Sequence, residues 1–292
     1  MNWKTTGQPL ISIVIPSFNQ GQFIEQTITS ILGQNYSNIE LIIIDGGSTD
    51  QTKAVIEKYS DFISHYVSEP DRGQADAINK GFRLAKGDIF AWLNSDDMYL
   101  PCTLLKVANI LGASSEPKLL YGGCLYFVES QPYASGFLPP KFEREVLRYC
   151  DYIVQPSTFW SRSLWEKTGE LNELYHYVLD WDWFIRASHI CDFIPVQDYL
   201  SIYRQHDNHK SGTGGLKRAK EILEIVEKNA SSKWISVYKD VFKSGKSLIN
   251  GFNQLAKLKL YRFRILFFPK LYLKHGPKTV GIALGMMGNF DK

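Results

Sequence analysis

Three apolar runs in the first hundred residues each stop at a polar cluster, and helix-period segments separate them. "LISIVIPSF" runs into "NQGQ", "IELIIID" into "GGSTD", and "DIFAWL" into "NSDD". Between the first two, "FIEQTITSIL" places Phe23, Ile24, Ile28 and Ile31 at helical spacing. A second helix is expected from Gln51 to Tyr59, a short strand near "ISHYVSEP", and a third helix over "GQADAINKGFRLAK". Strands that alternate with helices leave few folds open; the pattern implies an α/β protein with a Rossmann-like, mostly parallel sheet flanked by helices. Such sheets bind ligands beyond the carboxyl ends of their strands, so the three polar clusters are expected on one rim.

The alternation loosens from Leu119. "LLYGGCLYFV" reads as a strand or hairpin, "PPKFEREVLRYC" as an amphipathic helix, "IVQPSTFWSRSLWEKTG" as a strand feeding a helix, and "DWDWFIRAS" as another helix. The loop "DNHKSGTGG" follows, and then Leu216, Ala219, Leu223 and Val226 mark an amphipathic helix. The expected boundary lies near Gly212–Gly215, with a main domain over 1–212 and a helical extension over 213–292. A chain of 292 residues that is 44% hydrophobic can bury one large core, or one core with a smaller appendage.

The four cysteines, Cys102, Cys124, Cys150 and Cys191, form no CxxC pair, so neither a zinc site nor a disulfide framework is suggested, which fits a reducing compartment. The apolar run from Leu10 closes at Pro16 without a preceding charged segment, and no secretion signal or spanning helix is expected. The predicted location is cytoplasmic, at the inner face of the membrane if the tail binds there. Between Val241 and Phe290 stand nine Lys or Arg and no Asp or Glu, in a chain whose net charge is +3. Cations mixed with Phe, Leu and Tyr suit an anionic membrane surface, with a helical cap or an oligomer contact as the alternative. Nucleic acid is a poorer partner, because no recognition module accompanies the charge.

Adjacent carboxylates repel, and Asp96 with Asp97 ends a buried strand. Such a pair can share a divalent cation, Mg²⁺ or Mn²⁺, with positions left open for a diphosphate. The alternative is a cap for the helix expected over "PCTLLKVANIL". Asp45 also ends a buried strand, and the glycines after it allow a ligand to approach the backbone closely. Ser48 or Asp50 can cap the helix that follows.

Taken in order, "ISIVIPSFNQGQFIEQTITSILGQNYSNIELIIIDGGSTDQT", "DRGQADAINKGFRLAKGDIFAWLNSDD", "QPSTFW", "LDWDWFIRA" and "YRQHDNHKS" resemble family 2 glycosyltransferases, over roughly Leu10 to Ser211. The resemblance implies a GT-A fold and an inverting enzyme dependent on a nucleotide-sugar, with a nucleotide-sugar half over about 10–100 and an acceptor half over about 101–212. It places Pro16 and Phe18 beside the nucleotide base and Asp45 in a hydrogen bond to it. Arg72 and Asp76 fall near base, ribose and donor sugar. Asp97 would ligate the metal, and Asp96 would meet ribose or sugar hydroxyls; Asn94 stands where many relatives carry another Asp.

For catalysis, the resemblance gives Asp180 as the base that takes the acceptor proton, although Leu179 replaces the usual acidic neighbour. Asp182 is the alternative; two residues apart on a helix, the side chains point about 200° apart and cannot share one task. Arg204 would contact the leaving diphosphate and His206 would be a metal ligand, His209 being the weaker choice; Lys210 and Ser211 belong either to a closing loop or to a linker. Trp160, Trp165, Trp181 and Trp183 divide between sugar stacking and core packing. The expected partners are a UDP-sugar donor and a glycan or lipid-linked saccharide acceptor of a surface polymer. A sugar nucleotidyltransferase would carry cations in the loop after its first strand, and "SFNQGQF" has none. An inactive carbohydrate- or nucleotide-binding module is disfavoured by Asp45, Asp97, Asp180 and His206 occurring together.

Overall fold

A computed structural model describes residues 7–129, 133–206, 209–210, 214–244 and 269–287. Much of the basic tail, 245–268 and 288–292, lies outside the described residues, as does Ser211. The chain divides into two compact units. The first comprises Met1–Phe142, Ile153–Leu174 and Leu179–His206, and the second Glu143–Tyr152, Tyr175–Val178 and Asp207–Lys292.

The first unit is built on the expected alternation. β1 (Ile11–Ser17), β2 (Ile39–Asp45), β3 (His65–Ser68) and β4 (Ile89–Trp92) run parallel, joined through α1 (Ile24–Leu32), α2 (Thr52–Glu57) and α3 (Gln74–Leu84). All seven residues of β1 are buried, as a central strand covered on both faces requires. β5 (Met98–Tyr99), α4 (Thr103–Leu111), β6 (Leu119–Val128), β7 (Ala134–Phe137), β8 (Thr158–Ser161), α6 (Arg162–Thr168), α7 (Leu179–Ser188) and β9 (Phe193–Gln205) complete the unit, while α5 (Arg144–Leu147), between β7 and β8 in the chain, belongs to the second unit. The sheet order is β3-β2-β1-β4-β8-β6-β9-β5, with β7 on β6. β8 enters antiparallel between β4 and β6, whereas β6 and β9 pair in parallel.

Two details depart from the residue patterns. The helix expected across "PPKFEREVLRYC" contracts to α5, because Pro139 and Pro140 supply no N–H and the Tyr121 hydroxyl donates to the Pro140 carbonyl at 2.7 Å. The four tryptophans considered for sugar stacking are all buried, Trp165 at 8% exposure and the others at 0%. Trp160, Trp165 and Trp183 pack against one another, and Phe82 and Trp92 join them, so this cluster is core.

In the second unit, helices Gly215–Asn229 and Ser232–Lys243 bury Ile222, Ile225, Val226, Val237 and Val241. Trp234 stacks on Tyr149 at 3.7 Å between ring centres. Of the basic tail, Pro269–His275 and Pro277–Met287 are helical, and Lys274 and His275 both pair with Asp240. Among the described residues no helix is long and apolar enough to cross a membrane.

Gly81 sets how closely α3 lies on β1. A Cβ there would sit 2.4 Å from Val14 Cγ1 and 2.9 Å from Cγ2. Val14 is fully buried and cannot swing away, so Gly81→Ala is expected to lower stability by about 1–3 kcal/mol, the usual range for overpacking. Thermal unfolding checks this; an unchanged midpoint would show that the helix shifts freely.

Candidate active site

The three polar clusters meet at the carboxyl ends of β1, β2 and β4. Ser17 lies in register with Asp45, the Gly46 N–H donates to the Ser17 carbonyl at 2.8 Å, and the Leu93 N–H donates to Val14. Asn19, at positive φ, ties the first two clusters together: its N–H donates to Ser48 Oγ at 2.7 Å and its side-chain carbonyl accepts from the Thr49 N–H. Pro16 is buried within β1, whereas Phe18, just beyond it, is 60% exposed.

Asp45 is fully buried, and its carboxylate is held from within. Oδ2 accepts from the Ser48 N–H at 3.0 Å and from Ser68 Oγ at 2.6 Å, and Oδ1 accepts from Ser48 Oγ. Ser48 therefore braces Asp45 rather than capping a helix. Asp50 accepts from the Thr52 N–H in the first turn of α2 and from the Gly21 N–H, both at 3.0 Å.

Arg72 and Asp76 come together over the start of α3. Asp76 is buried and accepts from the Arg72 N–H and guanidinium, each at 3.0 Å, with Lys80 Nζ at 3.4 Å. Burial pushes its carboxyl up, but these hydrogen bonds and the Lys80 charge prevail and hold it below the usual carboxylate range. Arg72 is largely exposed and also pairs with Glu173 at 2.8 Å.

The carboxylate pair separates into two environments. Asp97 is 1% exposed, with Oδ1 accepting from the Arg204 backbone N–H and Oδ2 from Asn94 Nδ2, both at 3.1 Å. Burial, and then the Asp96 charge, push its carboxyl well above the ordinary range. Asp96 instead faces His206, with Oδ2 3.1 Å from Nε2, and the imidazole packs on the Phe23 ring. Neither carboxylate caps α4, whose flanking residue is Cys102. Asn94 is well suited to its place: its carbonyl accepts from Gln74 at 2.7 Å while its amide serves Asp97, where a third carboxylate would add repulsion.

Arg204 stands behind this pair. Its side chain is 6% exposed; Nε donates to the Asp96 carbonyl and Nη1 to Glu129, both at 3.1 Å, and Nη2 donates to Gln26. The guanidinium also lies 5.0 Å from the Phe23 ring centre and 5.7 Å from that of Phe127. These hydrogen bonds turn the side chain into the fold, where it serves as an internal brace. His209 and Lys210 belong to the second unit.

Asp180 lies in the first turn of α7, where Oδ1 accepts from the Trp181 N–H at 2.9 Å. Asp182 is bound to Arg186 at 2.9 Å, and Arg186 also donates to the carbonyls of Thr168 and Glu170, so this carboxylate anchors the helix. Several contributors carried no recognised role in the sequence: Thr27, whose hydroxyl reaches the carbonyls of Ser95 and Asp97, Gln155, which joins Asn94 to the Trp92 carbonyl, and Asp71, beside Gly46.

Residues 12–129 match the Glycosyl transferase family 2 domain. An uncharacterised glycosyltransferase of Rickettsia typhi is 27% identical over 218 residues, spanning 72% of this chain and 68% of that protein. A PGL/p-HBAD biosynthesis glycosyltransferase of Mycobacterium tuberculosis is 30% identical over 183 residues, or 61% of this chain and 70% of the relative. Of a Rickettsia prowazekii relative, 58% is spanned. In structure, S. aureus TarS 1-349 superposes with a TM-score of 0.58 at 15% identity, covering 96% of this chain and 89% of that fragment. The mannosyltransferase PcManGT from Pyrobaculum calidifontis, solved with GDP-Man and Mn²⁺, gives 0.58 at 16% identity, with 98% and 77% covered. The sheet and these superpositions show a GT-A fold. The chain belongs to glycosyltransferase family 2.

If Arg204 braces the rim, Arg204→Met should cost the free protein about 3–5 kcal/mol, as removal of a buried ion's partner does. Glu129→Gln, at a more exposed group, should cost far less. Urea unfolding without ligand measures both. Wild-type stability in Arg204→Met would return this residue to the diphosphate.

Proposed function

We propose that this chain moves a sugar from a UDP-sugar to a hydroxyl of a glycan or lipid-linked saccharide, with inversion at the anomeric carbon, in the making of a cell-surface polymer. The observation that carries the reading is the Asp96–His206 pair at the strand-end rim, backed by the buried Asp97 and Arg204. The UDP assignment draws on the TarS structure with UDP-GlcNAc, and the acceptor assignment on the name of the mycobacterial relative. The basic tail, if it meets an anionic membrane, would keep the enzyme beside a lipid-linked acceptor.

The donor set fits a divalent ion. Among the described residues no three His, Cys, Asp or Glu side chains converge on one point. An ion of the Mg²⁺ type is commonly held by one or two protein groups and completed by substrate phosphates. One carboxylate oxygen and one imidazole nitrogen 3.1 Å apart match that arrangement, and the nitrogen favours Mn²⁺ over the harder Mg²⁺. In this reading Asp96 with His206 would hold the ion, and Asp97, the expected ligand, would fix the loop behind it. Bound there with the donor, the ion would supply positive charge to the departing diphosphate.

The protein's own work is then positional and basic. Phe18 offers an exposed ring to the base, and Arg72, with Asp76 locking its backbone, reaches the donor. As the acceptor oxygen bonds to the anomeric carbon and the bond to the diphosphate breaks, the hydroxyl proton passes to the Asp180 carboxylate. Asp182 is already committed to Arg186 and is the weaker base.

Asp180→Asn keeps shape and removes basicity. Turnover should fall about 10²–10⁴-fold, the usual worth of general-base assistance, while the Kd for UDP-sugar in Mn²⁺ changes within about a few-fold. Asp182→Asn should chiefly lower thermal stability. Transfer abolished by Asp182→Asn but kept by Asp180→Asn would move the base two residues on; indifference to both, with donor still bound, would overturn the inverting mechanism.

A further inference from the structure

A short strap, residues 168–173, runs between α3 and α7, and both helices grip it. From α7, Trp183 Nε1 donates to the Gly169 carbonyl at 2.9 Å, and Arg186 donates to the carbonyls of Thr168 and Glu170 at 2.8 Å each. From α3, the buried Asn79 amide accepts from the Leu171 N–H at 2.9 Å and donates to the Leu171 carbonyl at 3.0 Å, so one side chain satisfies both backbone groups of one residue. Arg83 closes on the two carboxylate oxygens of Glu170 at 2.7 and 2.6 Å. Two residues beyond Leu171, Glu173 reaches back from this fixed strap to Arg72.

Arg72 is the loosest member of the rim. Its side chain is 71% exposed, and a long side chain in water samples many rotamers. Here Nη2 is caught between two carboxylates, Asp76 Oδ1 at 3.0 Å and Glu173 Oε2 at 2.8 Å. Asp76 is only four residues away, and a single contact at one nitrogen would let the guanidinium swing about it. The second contact, from a segment about a hundred residues on, stops that rotation. Glu173 is steadied in turn, with Oε1 3.5 Å from Asn79 Nδ2. Arg72 Nε and Nη1 make no hydrogen bond among the described residues, so the planar fork is oriented while these N–H groups stay available. An ion pair this exposed adds little to stability. What it fixes is direction.

We infer that Glu173 is a positioning residue for the donor: it holds Arg72 oriented before the donor arrives. This rests on the reading above of Arg72 as a donor contact. A side chain ordered in advance spares the complex the entropy of ordering it on binding. Because Trp183 and Arg186 tie the same strap to α7, the group that meets the donor and the helix that carries the proposed base share one support.

A double-mutant cycle tests this, read by calorimetric titration of the full chain in Mn²⁺ with UDP-GlcNAc, the ligand of the TarS complex. Glu173→Ala should weaken binding about 3- to 10-fold, the range that ordering one long side chain accounts for, and should keep the wild-type melting temperature. Glu173→Gln retains a carbonyl that can accept from Arg72 and should recover part of the loss. Arg72→Met should weaken binding further, and adding Glu173→Ala to it should change nothing, because Glu173 acts only through Arg72. Losses that multiply in the double variant, wild-type affinity in Glu173→Ala, or tighter binding because the carboxylate competes with the ligand for Arg72, would each overturn the inference while leaving the donor reading intact. Wild type binding neither UDP-GlcNAc nor UDP overturns both.

Discussion

The rim depends on a carboxylate that the protein buries. Asp97 has 1% of its surface exposed, and two neutral hydrogen bonds, from the Arg204 N–H and the Asn94 amide, face its two oxygens. These offset only part of the cost of taking a charge out of water, and the Asp96 charge adds to it, which is why the Asp97 carboxyl is driven upward. Such a site persists only if its surroundings are over-determined. Arg204 supplies that: its backbone fixes Asp97, its Nε fixes the Asp96 carbonyl, and Gln26, Glu129 and two aromatic rings fix the guanidinium. The short pairing of β5 with β9, Met98 with Ile202, brings the two segments together.

That clasp makes two adjacent residues chemically different. With Asp97 buried, Asp96 is left partly exposed, 3.1 Å from a buried imidazole that packs on Phe23. Polar groups whose partners lie inside the protein hold the geometry of the rim. The same division recurs at the other strand ends. Asp45 is sealed by Ser48 and Ser68 at β2, and Asp182 is clamped by Arg186 at α7.

Much of this was legible in the sequence. The alternation of strand and helix periods located the sheet and its rim, because a strand buried on both faces can hardly be written otherwise than as "ISIVI" or "LIII". Which of Asp96 and Asp97 faces outward was not legible. The choice is made by Arg204, 107 residues further on, through a strand pairing that no local pattern announces. The internal role of Arg204 was hidden for the same reason. Gly46 signalled a close approach, and the group that approaches is a side chain of the protein itself, which only the crossing of 69–71 over β2 reveals. The Pro139–Pro140 pair is the local signal for the shortened α5, within a stretch whose apolar spacing reads as one longer helix.

The proposed ion site needs Asp96 and His206, rather than Asp97, to reach the ion. Pulsed electron paramagnetic resonance of Mn²⁺ with UDP and the full chain reads this directly, because an imidazole nitrogen bound to Mn²⁺ modulates the spin echo. The account requires a ¹⁴N coupling that disappears in His206→Gln, a Mn²⁺ affinity that falls in Asp96→Asn, and a coupling that survives in Asp97→Asn. A Mn²⁺–UDP complex with no nitrogen coupling, or one unchanged by His206→Gln, would contradict it.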